Sequence, residues 1–351
     1  METKVAVIGA GTISACHLSS YQQIPNVRVV AVCDQNLELA KSRAQEYNIP
    51  YFCADYHEIL ADPEVDAVSV VTPTFTHKTI VLDALEKGKH VFCEKPPALT
   101  YEDALACEEA AKKAGKVLMY GFVCRFIASN QYVKQYIDAG KMGQIYYAEA
   151  SRMENCSQIG GWFRDKSKAG GGSLMDAAIH QLDLMLYFMG YPKVLSVKGF
   201  TSDVNKDLPE RIQSAAASYK SVSNTYIPRT VESFASAYIT FEGGKNLYIK
   251  AAHIANTVDP GTRMEILGEK GGISFTDGNL RLLTIDETNH FVKSEPNIYD
   301  DPDLFTPEIR HFVDCCTGKA KCIPNAEEGT QIMRILNAIY ESAATGSEIV
   351  F

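Results

Sequence analysis

Two groups of polar residues in this sequence have the types and the spacing that chemistry requires. In the first, an apolar run (residues 89–92) leads to Glu94-Lys95-Pro96-Pro97. Because proline has a nearly fixed φ, a strand that stops here holds its charged end at a defined point on the carboxyl edge of a sheet, where open α/β sheets bind ligands. Lys95 is therefore a candidate for chemistry on a bound ligand. A solvated lysine after a proline turn gives the same pattern.

The second group is Asp176 and His180. They follow the run Gly170-Gly171-Gly172 and lie four residues apart in a helical pattern, residues 174–189, so they share one helix face. Histidine has an ordinary pKa of ~6.5, which suits proton transfer at neutral pH. A histidine among leucines is equally typical of a satisfied core residue, and an aspartate here is equally typical of a first-turn acid.

The element that must precede such a site is a glycine-rich turn. Residues 4–9 have the pattern of a buried strand, and a helical pattern follows the turn, with Ser14 in place of a third glycine. This is the dinucleotide fingerprint: one glycine permits the tight turn and the next lets a pyrophosphate approach the helix N-terminus. The candidate contacts with the dinucleotide here are Gly9, Gly11, Thr12 and Ile13.

An acid follows the second strand at the expected distance. Asp34 stands about twenty residues after the glycines, where a carboxylate binds the adenosine ribose hydroxyls. It can also be an N-cap of the next helix, and the two roles are compatible. Because an acid repels a 2′-phosphate, and Gln35 and Asn36 rather than an arginine follow, the sequence favours NAD over NADP.

The alternation of strands and helices continues to a sixth strand, residues 117–120, which predicts a doubly wound parallel sheet, a Rossmann-type α/β domain. Thr72-Pro73 ends the fourth strand beside the expected cofactor, and His77 begins the next helix, either as a cofactor contact or as a partly buried residue. Later strand-like runs with helices before and after them predict an α+β domain with a mostly antiparallel sheet. The predicted domains are residues 1–123 and 124–351.

Bulk composition limits the function classes. A chain of 351 residues with 46% apolar and 22% charged residues fits two globular domains, and a net charge of −9 argues against non-specific nucleic-acid binding. No apolar run is long enough for a membrane span and no signal pattern precedes the first strand, so we expect a cytoplasmic protein. The ten cysteines are scattered, and no histidine completes a site with Cys315, Cys316 and Cys322, so we expect free thiols and no metal.

In their order along the chain these motifs resemble the Gfo/Idh/MocA family, named after glucose–fructose oxidoreductase and inositol dehydrogenase. The resemblance covers essentially the whole chain, and Ser14 is the one departure from the family pattern. The residues that carry it are Gly9-Ala10-Gly11, Thr72-Pro73, His77, Glu94-Lys95-Pro96, Gly121, Arg125-Phe126, Trp162-Phe163-Arg164-Asp165, Gly170-Gly171-Gly172, Asp176 and His180.

The resemblance implies a Rossmann domain, then an α+β domain with a large open mixed sheet whose outer face makes homodimers or homotetramers. It implies that Lys95, Asp176 and His180 meet over the nicotinamide as catalytic and substrate-binding residues. It also places Glu94, Trp162 and Arg164 near the cofactor or substrate. Arg125 is a candidate substrate contact or only a tie between domains.

The resulting hypothesis is NAD-dependent hydride transfer to or from a secondary ring hydroxyl of a sugar, glycoside or cyclitol. One alternative keeps NAD but modifies or cleaves a glycoside by transient oxidation, without net redox change. The other is a non-enzymatic, NAD-binding regulator on the same fold. The polar stretch Asp203–Thr230 is expected to be a flexible loop near a site or an interface.

Overall fold

In the computed structural model, which describes residues 2–155, 160–204 and 228–351, the chain divides into two units, and six parallel strands organise the first. Its elements in chain order are β1 (Thr3–Ile8), α1 (Thr12–Gln22), β2 (Val27–Cys33), α2 (Leu37–Glu46), β3 (Tyr51–Cys53), α3 (Tyr56–Ala61), β4 (Ala67–Val70), α4 (His77–Glu86), β5 (His90–Glu94), α5 (Tyr101–Ala114) and β6 (Leu118–Gly121). The strand order β3-β2-β1-β4-β5-β6 reverses beside β1, which confirms the doubly wound sheet.

The second unit is built on a nine-stranded sheet, counted over the described residues. Up to residue 294 the helices and strands are α6 (Ala128–Asp138), β7 (Ile145–Met153), α7 (Lys166–Ala169), a π-helical turn (Leu174–Ala178), α8 (Ile179–Met189), β8 (Val194–Ser202), β9 (Phe234–Phe241), β10 (Asn246–Ala252), β11 (Gly261–Gly268), β12 (Gly271–Thr276), β13 (Asn279–Ile285) and β14 (Phe291–Ser294). Strands β7 and β10 pair in parallel and the other neighbours are antiparallel, so the predicted mixed, mostly antiparallel sheet is confirmed.

The last three elements are α9 (Phe305–Cys316), α10 (Ala326–Thr345) and β15 (Ile349–Val350). The sequence pattern assigned everything after residue 123 to the second domain, yet residues 302–333 group with the first unit. The physical reason is apolar burial, because Phe312 and its neighbours on α9 lie in one core cluster with Val5 and Leu18. The stretches α9, β14 and β15 had no counterpart in the predicted element order.

Three sequence-based expectations concern the chain as a whole. In the described part of the chain, no helix has both the length and the apolar character that crossing a membrane requires. Its nine cysteines are all free thiols, five of them buried. Most of the polar stretch Asp203–Thr230, namely residues 205–227, lies outside the described residues.

Candidate active site

Gly9 is the glycine that the fold itself requires. Its φ is +107°, and a Cβ built there would lie 2.5 Å from the carbonyl oxygen of Val71, after β4. Its backbone N–H donates to Cys33 O at 2.7 Å, which ties the turn after β1 to the end of β2. Any other residue here meets both backbone strain and a clash, so the turn needs glycine whether or not a ligand binds.

Gly11 is different, because nothing in the described part of the chain requires a glycine there. It is the N-cap of α1 with φ −67°, and a Cβ there would meet no atom of the described residues within 4 Å. None of these residues caps the helix with its side chain, and the first turn carries no acid. The open space in front of uncapped N–H groups fits the pyrophosphate of a dinucleotide. Ser14 donates its hydroxyl to Gly11 O at 2.6 Å, so the departure from the fingerprint adds a hydrogen bond.

Asp34 holds the same turn from the end of β2. Its Oδ2 accepts from Ala10 N at 2.9 Å, and its Oδ1 accepts from Asn36 N at 2.8 Å. The N-cap of α2 is Asn36, whose side chain accepts from Leu39 N. Asp34 is therefore not the N-cap, which was one of the two roles that the sequence allowed. A carboxylate has about four acceptor sites, which leaves capacity for ribose hydroxyls. Arg43, which the sequence did not single out, donates to Ala10 O at 3.3 Å.

His77 joins the chain after β4 to the chain after β5. Its Nδ1 lies 2.9 Å from Pro96 O and its Nε2 lies 2.8 Å from Thr72 O. Burial lowers the pKa of His77, because the charged ring would lose its hydration, so the neutral ring donates from one nitrogen at a time. Both ring nitrogens face backbone carbonyls, and a direct contact of this side chain with a cofactor stays a prediction.

Glu94, next to Lys95, is held by a buried polar network that the sequence did not reveal. Its Oε1 lies 2.9 Å from Nε2 of His17, and its Oε2 accepts from Lys95 N at 3.2 Å. The other ring nitrogen of His17 lies 3.4 Å from Ser69 Oγ, which is 2.7 Å from the hydroxyl of Tyr21. The only available signal was a histidine and a tyrosine at helical spacing on the buried face of α1.

In the second unit, Asp176 and His180 stand on one continuous helical stretch. Asp176 lies in the π-helical turn Leu174–Ala178, where its N–H donates to Gly172 O at 3.0 Å, and His180 lies in the first turn of α8. Wider turns of this kind are rare and are frequently found at functional sites. Both side chains are only half-buried, in a helix that is otherwise almost wholly buried.

The glycine run before this helix has a packing reason. A Cβ on Gly171 would lie 1.8 Å from the hydroxyl of Tyr340, and one on Gly172 would lie 2.1 Å from Glu232 O. The buried carboxylate of Glu232 accepts from Gly172 N at 2.8 Å, and from Leu174 N and the Tyr340 hydroxyl at 3.0 Å each. Glu232 thus satisfies the N-terminus of the helix that carries Asp176, a role that the sequence did not indicate.

Three further predicted residues are held inside their own units. Arg125 is fully buried, and its Nη1 donates to Glu328 Oε2 at 2.9 Å within the first unit. Trp162 stacks on Phe163 with ring centroids 3.8 Å apart. The carbonyl of buried Arg164 accepts from Thr230 N at 2.9 Å. Their contacts with cofactor or substrate stay predictions.

No cluster of three or more histidine, cysteine or acidic residues in the described ranges is arranged to hold a metal ion. Near the cysteines considered above, Cys315 Sγ lies 3.4 Å from His311 Nε2, inside the first unit.

Comparison with known families bears on the fold and the family. The sequence profile described as "Oxidoreductase family, NAD-binding Rossmann fold" matches residues 3–122, and "Oxidoreductase family, C-terminal alpha/beta domain" matches residues 134–350. The chain belongs to the Gfo/Idh/MocA oxidoreductase family. The expected family and fold class are therefore confirmed.

Several relatives have named activities. The chain is 32% identical to D-glucoside 3-dehydrogenase of Escherichia coli over 99% of this chain and 97% of that protein. It is 29% identical to scyllo-inositol 2-dehydrogenase (NAD(+)) of Bacillus subtilis over 99% and 94%, respectively. A solved structure of levoglucosan dehydrogenase in complex with NADH and levoglucosan shares the fold, with a TM-score of 0.85 at 24% identity over 100% of this chain and 99% of that chain.

The two fingerprint glycines give a matched pair of substitutions. We expect Gly9→Ala to lower the free energy of unfolding by about 2 kcal/mol or more, because it combines a positive φ with a clash against Val71 O. Gly11→Ala should lower that free energy by no more than about 1 kcal/mol, because alanine is a poorer N-cap than glycine. It should weaken NAD binding about tenfold, since its methyl group enters the space that the pyrophosphate needs. Urea denaturation and NAD titration by fluorescence measure the two effects.

Each variant serves as the control for the other. Unchanged NAD affinity in Gly11→Ala would contradict the assignment of the turn at Gly11 as the pyrophosphate-binding site. Unchanged stability in Gly9→Ala would contradict the close approach of the two backbones.

Proposed function

We propose that this protein is an NAD-dependent oxidoreductase that transfers a hydride between a secondary ring hydroxyl of a sugar, glycoside or cyclitol and the nicotinamide. The observation that supports the proposal is that each unit of the described structure holds one of the features that this reaction would use. The first unit offers an open cradle at Gly11, and the second holds Asp176 and His180 on one helix anchored by Glu232. Relatives that act on glucosides and inositols support the substrate class.

Each polar residue then has a distinct role in the oxidation. We assign His180 as the general base that takes the hydroxyl proton on a ring nitrogen. Lys95 donates a hydrogen bond from Nζ to the same oxygen and stabilises its alkoxide character, and Asp176 accepts a hydrogen bond from the substrate or from Lys95 or His180. NAD, when bound, supplies the hydride acceptor.

Preference for NAD over NADP belongs to the same proposal. The Asp34 carboxylate, fixed by Ala10 N and Asn36 N at the end of β2, repels a 2′-phosphate. The guanidinium of Arg43 donates to Ala10 O from Nε, and to Glu46 Oε2 from Nη1 at 2.6 Å. These two hydrogen bonds hold it away from the role of binding that phosphate.

We further propose that the protein assembles as a homodimer or homotetramer through the outer face of the large sheet. That face carries exposed apolar side chains, with Phe200 at 58% and Tyr238 at 44% exposure. Tyr238 lies opposite Lys198 on β8 and Tyr248 on β10, so these residues point to one side of the sheet.

The reaction is tested by a spectrophotometric screen at 340 nm. Purified protein with NAD is offered inositols, hexoses, aminosugars, sugar phosphates and aryl glycosides. A rise in absorbance with one class supports the proposal and identifies the substrate. Release of the aryl group without a rise in absorbance would replace it by glycoside chemistry through transient oxidation. Tight NAD binding with no turnover, together with capture of a partner protein, would favour the regulator.

We expect His180→Ala to lower kcat by about 10²- to 10⁴-fold, because the substrate proton loses its acceptor. NAD affinity should stay within about twofold of the wild-type value, since His180 does not build the Gly11 turn. His290→Ala is the matched control, because that histidine lies between β13 and β14 with 79% of its side chain exposed. Wild-type turnover in His180→Ala would show that His180 is not the general base.

Asp34 variants test the choice of cofactor. We expect Asp34→Ala and Asp34→Asn to shift the ratio of kcat/KM for NAD to that for NADP by about tenfold towards NADP, because the charge opposing the 2′-phosphate is gone. Asparagine keeps one oxygen that can accept a hydrogen bond from the turn but carries no charge. Asp34→Asn therefore distinguishes the effect of the charge from the effect of losing both hydrogen bonds. An unchanged ratio in both variants would limit Asp34 to holding the turn.

Tyr238→Glu tests the assembly. A buried charge at a self-associating sheet face is unfavourable, so we expect light scattering after size exclusion to show a shift from oligomer to monomer. Val258→Glu, at a residue that is 93% exposed in the loop before β11, should leave the mass unchanged. An oligomer that survives Tyr238→Glu would place the interface elsewhere.

A further inference from the structure

His253 is a buried histidine in contact with Asp176 that no motif of the sequence marked. It directly follows β10, and its side chain is 2% exposed, whereas that of Asp176 is 20% exposed. Its Nε2 lies 3.2 Å from Asp176 Oδ2, and its backbone N–H donates to Ser233 O at 2.9 Å. His253 therefore supports Asp176 from the interior of the second unit.

The hydrogen bonding of the ring indicates where its proton lies. Nδ1 of His253 is buried and has no hydrogen-bond partner in the described structure. Because Nδ1 lacks a partner with or without a proton, the contact with Asp176 decides: a bare Nε2 would present a lone pair to a carboxylate oxygen, whereas a protonated Nε2 donates to it. The geometry thus assigns a proton to Nε2, which donates to Asp176 Oδ2.

This donor acts on a side chain that the backbone alone does not fix. The π-helical turn sets the Cα position of Asp176, but an aspartate can still rotate about χ1 and χ2. A donor held by packing on the buried side selects one rotamer. It also favours the ionised carboxylate over the protonated form, since a hydrogen bond to the charged form stabilises that form.

We propose that His253 is a positioning residue for the reaction, which fixes the rotamer and the ionised state of Asp176 through its Nε2–H. The proposal rests on the proposed function, because it acts through the role assigned to Asp176. We expect the contribution of His253 to activity to be about ten- to hundredfold, the range found for residues that orient metal ligands without touching the substrate.

Three substitutions separate positioning from simple packing. Leu at position 253 keeps bulk but has no donor. The amide of Asn reaches only to the level of Nδ1, whereas the amide of Gln reaches the level of Nε2. We expect His253→Leu and His253→Asn to lower kcat about ten- to hundredfold and His253→Gln to keep most of it, with the KM for NAD unchanged in all three. A residue that only fills space would make Asn and Gln equivalent, and that result would overturn the proposal.

A double-mutant cycle tests the same contact. In an Asp176→Ala background, His253→Leu should have no further effect on kcat, because the side chain on which His253 acts is already absent. Fully additive losses would overturn the proposal.

A measurement without turnover guards against misfolded variants. In ¹⁵N-histidine spectra of the wild-type protein, the resonances lost in His253→Gln should show a protonated Nε2 and a bare Nδ1, and should shift in Asp176→Asn. The opposite tautomer would overturn the proposal whatever the activities of the variants. Absence of NAD reduction by the wild-type protein with every substrate class would instead refute the proposed function. Full activity of Asp176→Ala would refute the role assigned to Asp176, whereas impaired Asp176→Ala with a fully active His253→Leu would refute the positioning role alone.

Discussion

The hydrogen bonds of the Glu232 carboxylate are the interaction on which the proposed chemistry of the second unit depends. It receives the N–H groups of Gly172 and Leu174 at the point where the helix with Asp176 and His180 begins. A buried carboxylate is stable only when its oxygens accept hydrogen bonds. The first N–H groups of a helix have no partner within the helix, so the carboxylate and these N–H groups satisfy each other's hydrogen bonds. The contact needs a backbone without Cβ atoms, which explains the glycine run.

The same physical solution recurs at three acids that are predicted to lie near a ligand. Asp34 is held by backbone N–H groups, Glu94 by His17, and Asp176 by His253. Each donor is fixed by the fold before any ligand arrives. Preorganised carboxylates avoid the reorganisation that a flexible acid would undergo during the reaction, which is the usual source of electrostatic catalysis. The two histidines that serve this purpose lie in the interior and are not exposed to solvent.

Much of the fold was predictable, because it follows from short-range patterns. The strand and helix periodicities predicted all strands of the first sheet, in their order along the chain, and nearly all strands of the second sheet. The helix α9 was missed, although its Pro307 lies in the first turn, where proline is tolerated because its N–H would have no helical partner. Its placement with residues 302–333 in the first unit depends on Phe312 finding a core cluster near Val5, which no local pattern encodes.

By itself the sequence determined the fingerprint turn at Gly9 and Gly11, the position of Lys95 after a strand, and the shared helix face of Asp176 and His180. These depend on spacing and on the backbone limits of glycine and proline, which act over a few residues. Only the tertiary structure decided which donors hold Glu94 and Asp176, because His17 and His253 each lie 77 residues away along the chain from the acid they contact. Hydrogen bonds at that separation are selected by packing in three dimensions, which residue spacing does not encode.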